Sequence, residues 1–450
     1  MLRRTLITSV IAAAFGALAA CGQPGTQEPS ATQQAQQPAA QEEQAPTQEA
    51  QDAANGADQA VPESITIITS SEEMGLFHAL GDRFEEQTGI FLDVIAIGYD
   101  SIHPRIITSV MAGSTDIDLS YVDVIWPAEF AVTEILYPLN DFAGPGFADR
   151  FIDVTIDQMT YNGQIFAVPY SNNGKWMFYN RRMLADAGLQ PPSTWAELVN
   201  VSQQLIDQDI SRHGISWALV QSEGVVCDMT TLFNAFGTPW LDNAGNFAFN
   251  GPGAVAAMEM IIDTIETGVA DPASITYNDR TALNPFLAGE TAFVMNWSFA
   301  WDLVNDPGLS AVVGDVGIML IPGVADAGTV SSGVTGGGGV GMLSTSLQKE
   351  AGWEFLYFMA SEEAARMGLT YANVLPTLTS IYQDPQLLVD FPFLELFFPQ
   401  MQHNHHRPML PRYSEWSNNV QEYLSRIVTG QLSPQDGLDQ AVQSSEPFRP

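Results

Sequence analysis

The side chains here that could do chemistry are carboxylates, aromatic rings and one arginine, scattered over more than 300 residues. Glu72 with Glu73, and Asp123 with Glu129 and Glu134, sit near the ends of strand-like runs. Two carboxyl groups at a set separation can protonate and attack a glycosidic bond. Among 52 acidic residues such neighbours arise by coincidence, so no catalytic pair is assigned. No Gly-x-Ser-x-Gly, His-Glu-x-x-His or Walker-type loop occurs. The run Gly336–Gly339 lacks a following Gly-Lys-Ser/Thr, so it reads as a close backbone approach within a strand rather than a phosphate cradle. His403, His405 and His406 fit no defined zinc spacing and read as a polar loop. Cys227, among Val225, Val226 and Met229, reads as a small buried hydrophobe. Neither a metal nor a cofactor is expected. What remains is a binding inventory. Trp126, Tyr170, Trp240, Trp297 and Trp301 fall at strand ends or loops, and Asp123, Asn173 and Arg407 supply a carboxylate, an amide and a guanidinium. Aromatic faces cover the C–H face of a pyranose, and the polar groups take its hydroxyls in pairs.

These groups must be positioned by a chain of 450 residues, long enough for two cores of ordinary size. Its formal charge is −36, with lysine only at Lys175 and Lys349. Such a surface repels phosphate backbones, which excludes nucleic acid as a partner. It suits a saline exterior, where salt screens self-repulsion; compositional drift is the alternative. At the start, Arg3-Arg4 precede an apolar run to Ala17 and then Leu18-Ala19-Ala20-Cys21. That is a signal peptide over 1–21 ending in a lipobox-like tetrapeptide, with Cys21 as the expected lipidation site. Residues 22–62 are rich in Gln, Ala, Pro, Thr and acid, without Lys, Arg or aromatics, and are expected to be a disordered tether.

Beyond the tether, strand patterns at Ile65–Thr69, Ile90–Ile97 and Asp118–Trp126 alternate with helical spacing over Glu72–Thr88 and Ser101–Ala112. This indicates an α/β lobe with a mainly parallel sheet, whose ligands lie at the strands' carboxyl ends. Tyr161–Leu184 is the organising stretch. A turn at Asn162-Gly163, an apolar run ending at Pro169, the turn-prone Ser171–Gly174 and a second aromatic strand suit a short flexible hinge. Thr194 and Glu197 predict a capping box ahead of a helix. Further helices are predicted near 252–267, from Ser346, over Tyr413–Val428 and after Ser433-Pro434.

Several separated stretches resemble family-1 bacterial extracellular solute-binding proteins, most closely the trehalose/maltose branch. They are Phe84–Ile90, Asp123–Trp126 with Glu129–Ala131 and Leu136–Leu139, Glu223–Asp228, Phe293–Trp301, and Arg407-Pro408 with Pro411 and Tyr413, in order along residues 64–445. The resemblance implies a two-lobed, type II periplasmic-binding-protein-like α/β fold, each lobe a mainly parallel sheet flanked by helices. The first lobe would be 64–170 plus 333–377, and the second 171–332 plus 378–450. It implies a non-enzymatic, monomeric, exported lipoprotein. This protein would take a di- or oligosaccharide by hinge closure and deliver it to the transmembrane subunits of an ABC permease. Glu73 and Asp123 would contact sugar from the first lobe, Trp297 would stack on a ring, and Arg407 would hold hydroxyls. Trp126, Tyr170, Asn173, Trp301 and Gly338 complete the expected site. Asn173, Ser171, Gly339 and His103 depart from the residues relatives often carry there, which bears on the identity of the sugar. Other readings are a secreted glycoside-acting enzyme, or a receptor for another small solute such as a polyamine.

Overall fold

Apolar and β-branched runs at Ser64–Ser70 (β1) and Phe91–Ile97 (β2) and the buried run Leu119–Asp123 (β3) pair in parallel, in the order β2–β1–β3. The computed structural model describes residues 64–391 and 393–449; the expected leader, Cys21 and the tether lie outside them. Helix α1 (Met74–Thr88) buries Leu76, Phe77, Leu80 and Phe84, the stripe its spacing predicts. It ends at Gly89, whose φ of 78° closes the helix with an N–H donated to Glu85. Helix α2 (Tyr99–Met111) follows β2 and returns the chain to β3. Asp118–Trp126 is not one strand: pairing stops at Asp123, and Trp126 opens a short helix, Pro127–Val132.

The centre differs from the sequence expectation. Ser171–Gly174 is no turn but the middle of one 14-residue strand, Ala167–Asn180. Its first half pairs antiparallel with the glycine strand Gly333–Met342, which in turn pairs antiparallel with β3. Its second half pairs with Thr291–Trp297 and Val316–Met319. Turn propensity loses here to pairing with the glycine strand, and the Asn172 N–H is taken by the Leu375 carbonyl at 2.9 Å. The register shifts between Gly338 and Gly339, a bulge at the crossing point. Gly337 has φ +100°, and a Cβ there would lie 2.1 Å from the Ser171 carbonyl oxygen, so only glycine fits. The Asn162-Gly163 hairpin forms as expected, between Thr160–Tyr161 and Gln164–Ile165.

One mixed sheet therefore runs from β2 through the glycine and crossing strands to Thr291–Trp297 and His213–Ser216, the last two parallel. Two apolar cores lie along it. One gathers Phe77, Phe84, Phe130, Phe151 and Phe355; the other gathers Trp195, Trp217, Trp240 and Trp416. The helices Trp195–Asp207, Pro252–Glu266, Tyr413–Val428 and Pro434–Ser445 cover the second core. The capping box forms: Thr194 accepts from the Glu197 N–H at 3.2 Å, and Glu197 accepts from the Thr194 N–H at 3.3 Å. Thr194→Ala is expected to cost about 1 kcal/mol of stability in urea denaturation. A midpoint equal to wild type would show that the cap contributes nothing. Among the described residues no helix is long and apolar enough to cross a membrane.

Candidate functional site

Glu73 follows β1 and Asp123 ends β3, so the parallel part of the sheet delivers both carboxylates to its carboxyl edge. Tyr170, on the crossing strand, donates its hydroxyl to Glu73 Oε2 at 2.6 Å. Asp123 accepts from Tyr99 at 3.0 Å, from Tyr121 at 3.2 Å and from the Ile125 N–H at 3.2 Å. Facing it is Arg407, held just after Asn404–His405, a short strand parallel to the start of the glycine strand. Arg407 Nη2 lies 3.7 Å from Asp123 Oδ1, and Nη1 donates to Glu223 Oε1 at 2.7 Å. Glu223 also accepts from Tyr413 and from Ser417, the latter at 2.6 Å. Arg407 is 8 % exposed, and its Nε is buried without a partner among the described residues.

Glu73, Tyr99, Asp123, Asn173, Trp297 and Arg407 share the wall of a cavity of about 250 Å³. Its floor is Gly336 and Gly337, where the absent side chains leave room for the Trp297 ring; a Cβ on Gly336 would lie 2.5 Å from Trp297 Cζ3. A larger outer cleft of about 760 Å³ shares these walls and continues past Arg280, Phe299, Asp302 and Tyr371. Burial pushes the Glu73 carboxyl up to about 7, against the lowering by the Tyr170 hydrogen bond. Burial also raises Asp123, with the Arg407 charge opposing it. Burial raises Tyr99, Tyr121 and Tyr170 well above the usual phenol range, so all three stay protonated donors.

The raised Glu73 has a consequence for stability. In the folded chain it takes up a proton below about pH 7, whereas unfolded it does so only near 4.5. The folded state therefore binds more protons between these values, and the Glu73 contribution to stability falls as pH rises through that window. Glu73→Gln is expected to remove this slope, so the stability of the variant relative to wild type grows from pH 5 to pH 8. A pH-independent difference in urea midpoints would contradict it.

Not every expected residue reaches the cavities. Trp126 is 3 % exposed and stacks behind Tyr99, with ring centroids 5.8 Å apart and planes 22° from parallel; it lines neither cavity. Trp301 lines neither cavity and meets Phe397 edge-on at 6.1 Å. Gly338 lies beneath Tyr121, where a Cβ would come within 2.5 Å of its ring, so the cavity meets Gly336 and Gly337 instead. Tyr170 acts through Glu73 rather than lining the cavity. Trp240 belongs to the second core, edge-on to Trp416. His406 Nδ1 lies within hydrogen-bond distance of Gln158 and Thr335. Cys227 is buried as expected, yet it touches the cavity, and burial pushes its thiol up. Tyr99, Tyr121, Glu223, Lys175 and Asp279 reach the site without any sequence signal that marks them individually as site residues. For Glu223 the signal was present in the Glu223–Asp228 block.

The profile of the family described as "Bacterial extracellular solute-binding protein" matches residues 69–366, which hold Glu73, Asp123, Asn173 and Trp297. The chain belongs to that family. Its members are exported solute-binding proteins rather than enzymes. Among curated relatives, this solute-binding protein is 24 % identical to the "Mannitol-binding protein" of Pseudomonas aeruginosa over 410 residues, covering 85 % of this chain and 92 % of the relative. It is 22 % identical to the "Maltotriose-binding protein" of Pyrococcus abyssi, covering 67 % of this chain and 64 % of the relative. Among solved structures, maltose-bound MalE3 of T. maritima superposes with a TM-score of 0.77 at 28 % identity, over 85 % of this chain and 99 % of that one. The solute-binding protein thus has the two-lobed type II periplasmic-binding-protein fold.

Proposed function

We propose that this chain is the receptor of an ABC sugar importer, taking a di- or oligosaccharide of the trehalose/maltose type into the cleft and presenting it to the permease. One observation carries the reading. A carboxylate from the end of β3, a tryptophan from the strand Thr291–Trp297 and an arginine from the loop after Asn404–His405 converge on one cavity. Trp297 offers a face to the C–H side of a ring, while Asp123, Arg407 and Glu73 offer a mixed set of acceptors and donors to its hydroxyls. The likeness to maltose-bound MalE3 supports a glucoside, and the likeness to a mannitol-binding protein makes a polyol the nearest competitor. The lobes in this reading are 64–170 plus 333–377 and 171–332 plus 378–450, with closure about the paired crossing and glycine strands. Ligand touching both lobes only when closed would shift the population toward the closed form, as hinge closure does in periplasmic binding proteins. Lipidation at Cys21 and the tether over 22–62 would hold a monomeric receptor at the envelope surface facing the permease. Titration calorimetry against maltose, trehalose, maltotriose and mannitol tests the reading, with the incubated sugar analysed for products. Binding without products supports it. Cleavage would favour a glycoside-acting enzyme, and no binding by any of the four would overturn it.

A further inference from the structure

A second charged group lies beneath the cleft. Lys175, on the crossing strand, has no solvent exposure and is paired with Asp228 and with Asp279 Oδ1, the latter at 2.5 Å. In the strand register Lys175 stands directly opposite Trp297, and its ammonium lies 5.3 Å from the centre of that ring. A cross-strand cation and aromatic ring attract each other, more so when dry. The two carboxylates are not equivalent. The Asp228 side chain is 1 % exposed, whereas that of Asp279 is 22 % exposed and lines both the inner cavity and the outer cleft.

Asp279 is fixed in place from several sides. It opens the helix Asp279–Leu287 behind the Asn278 capping box, and the Asn296 amide donates to its carbonyl at 2.7 Å. Its carboxylate approaches Gly224 so closely that a Cβ there would lie 2.6 Å from Oδ2. Oδ1, though in ionic contact with Lys175, has no aligned hydrogen-bond donor among the described residues. Taking an ammonium fully out of water is costly, and an apolar side chain would fill the same space without that penalty. A role for the charge beyond packing is therefore needed, and the cleft supplies one.

We propose that Asp279 is a ligand-contacting carboxylate and that Lys175 is the positioning residue behind it. Lys175 holds the Asp279 carboxylate at the cleft edge through their ion pair at 2.5 Å and stands against the Trp297 ring. This end of the cleft then selects a ring that presents hydroxyl donors beside its apolar face. The inference rests on the saccharide-receptor reading above. The charged and titratable groups facing the couple are Glu223, Cys227 and Asp228 from the helix Glu223–Ala235, Asp279 from its own helix, and Arg407 from the opposing loop.

Lys175→Met and Asp279→Asn test this by titration calorimetry at pH 5.5 and pH 8. The probe is whichever of maltose, trehalose, maltotriose and mannitol binds wild type most tightly. Asp279→Asn is expected to weaken binding at least tenfold at both pH values. Lys175→Met leaves Asp279 without the cation that positions it, at a similar side-chain volume. Its dissociation constant is therefore expected to rise at least threefold over wild type at both pH values. Comparing each variant with wild type at the same pH removes the titration of Glu73, common to all three. If both variants melt lower yet bind within twofold of wild type at both pH values, the couple is only structural and the inference is overturned. If wild type binds none of the four sugars, the receptor reading falls first, and this inference with it.

Discussion

Arg407→Leu is expected to lose both stability and binding, the largest combined effect of any single change here. The guanidinium stands between Glu223 and Asp123, whose side chains are 26 % and 12 % exposed. Removing it strands two carboxylates in a wall built for a cation, and Tyr413 and Ser417 cannot supply the missing charge. Breaking a buried ion pair from one side costs about 3–5 kcal/mol. The variant should therefore show a much lower urea midpoint and no heat of sugar binding. Arg407→Lys separates the two losses. It keeps the charge but not the planar fork, so stability should largely return while affinity stays at least tenfold down. A leucine variant within about 1 kcal/mol of wild type would show that the pair is not stabilised in the way a buried pair requires.

Trp297→Ala is expected to weaken sugar binding by more than tenfold, about 1.4 kcal/mol or more, while the chain still melts cooperatively. The ring lies over Gly336 at the cavity floor and outside either apolar core, so its loss removes cleft wall rather than core. Gly336→Ala tests the same contact from below. Its Cβ would meet Trp297 Cζ3 at 2.5 Å, forcing the ring off the floor. That variant should lose affinity by displacing the ring rather than deleting it. Unchanged affinity in Trp297→Ala would remove the tryptophan from the site.

Much of the fold was legible because it is written in local patterns. The α1 stripe with its Gly89 stop, the Thr194/Glu197 box and the Asn162-Gly163 turn all formed where spacing and turn chemistry place them. The crossing reads as a turn in the sequence because Ser171–Gly174 carries turn-prone residues. Their fate is decided by strands more than 100 residues away in sequence. The site was legible in part. Asp123, Asn173, Trp297 and Arg407 do share a cavity, along with Glu73. Trp126 and Trp301 share the sequence signature of a platform, an aromatic at the end of an element, yet they face inward; side-chain direction past a strand end follows no periodicity. Lys175 was invisible as a site residue for a different reason. Its partners Asp228 and Asp279 are 53 and 104 residues downstream, and nothing local marks a lysine within an aromatic strand as paired. Tyr121 is a core residue whose hydroxyl reaches Asp123, while Tyr99 packs against that core and lines the cavity, so neither carries a local mark of the site.

The uninterrupted strand Ala167–Asn180 and its glycine neighbour run side by side across the middle of the molecule, laced by a ladder from Ala167 to Gly174. A laced pair resists sliding, because sliding would break every rung at once, but it yields to torsion where side chains are absent. Four consecutive glycines and a register slip concentrate that softness in one place. Any rotation of the two halves about this ribbon would be met by a restoring torque, as in a torsion spring, rather than by the slack of a loose joint.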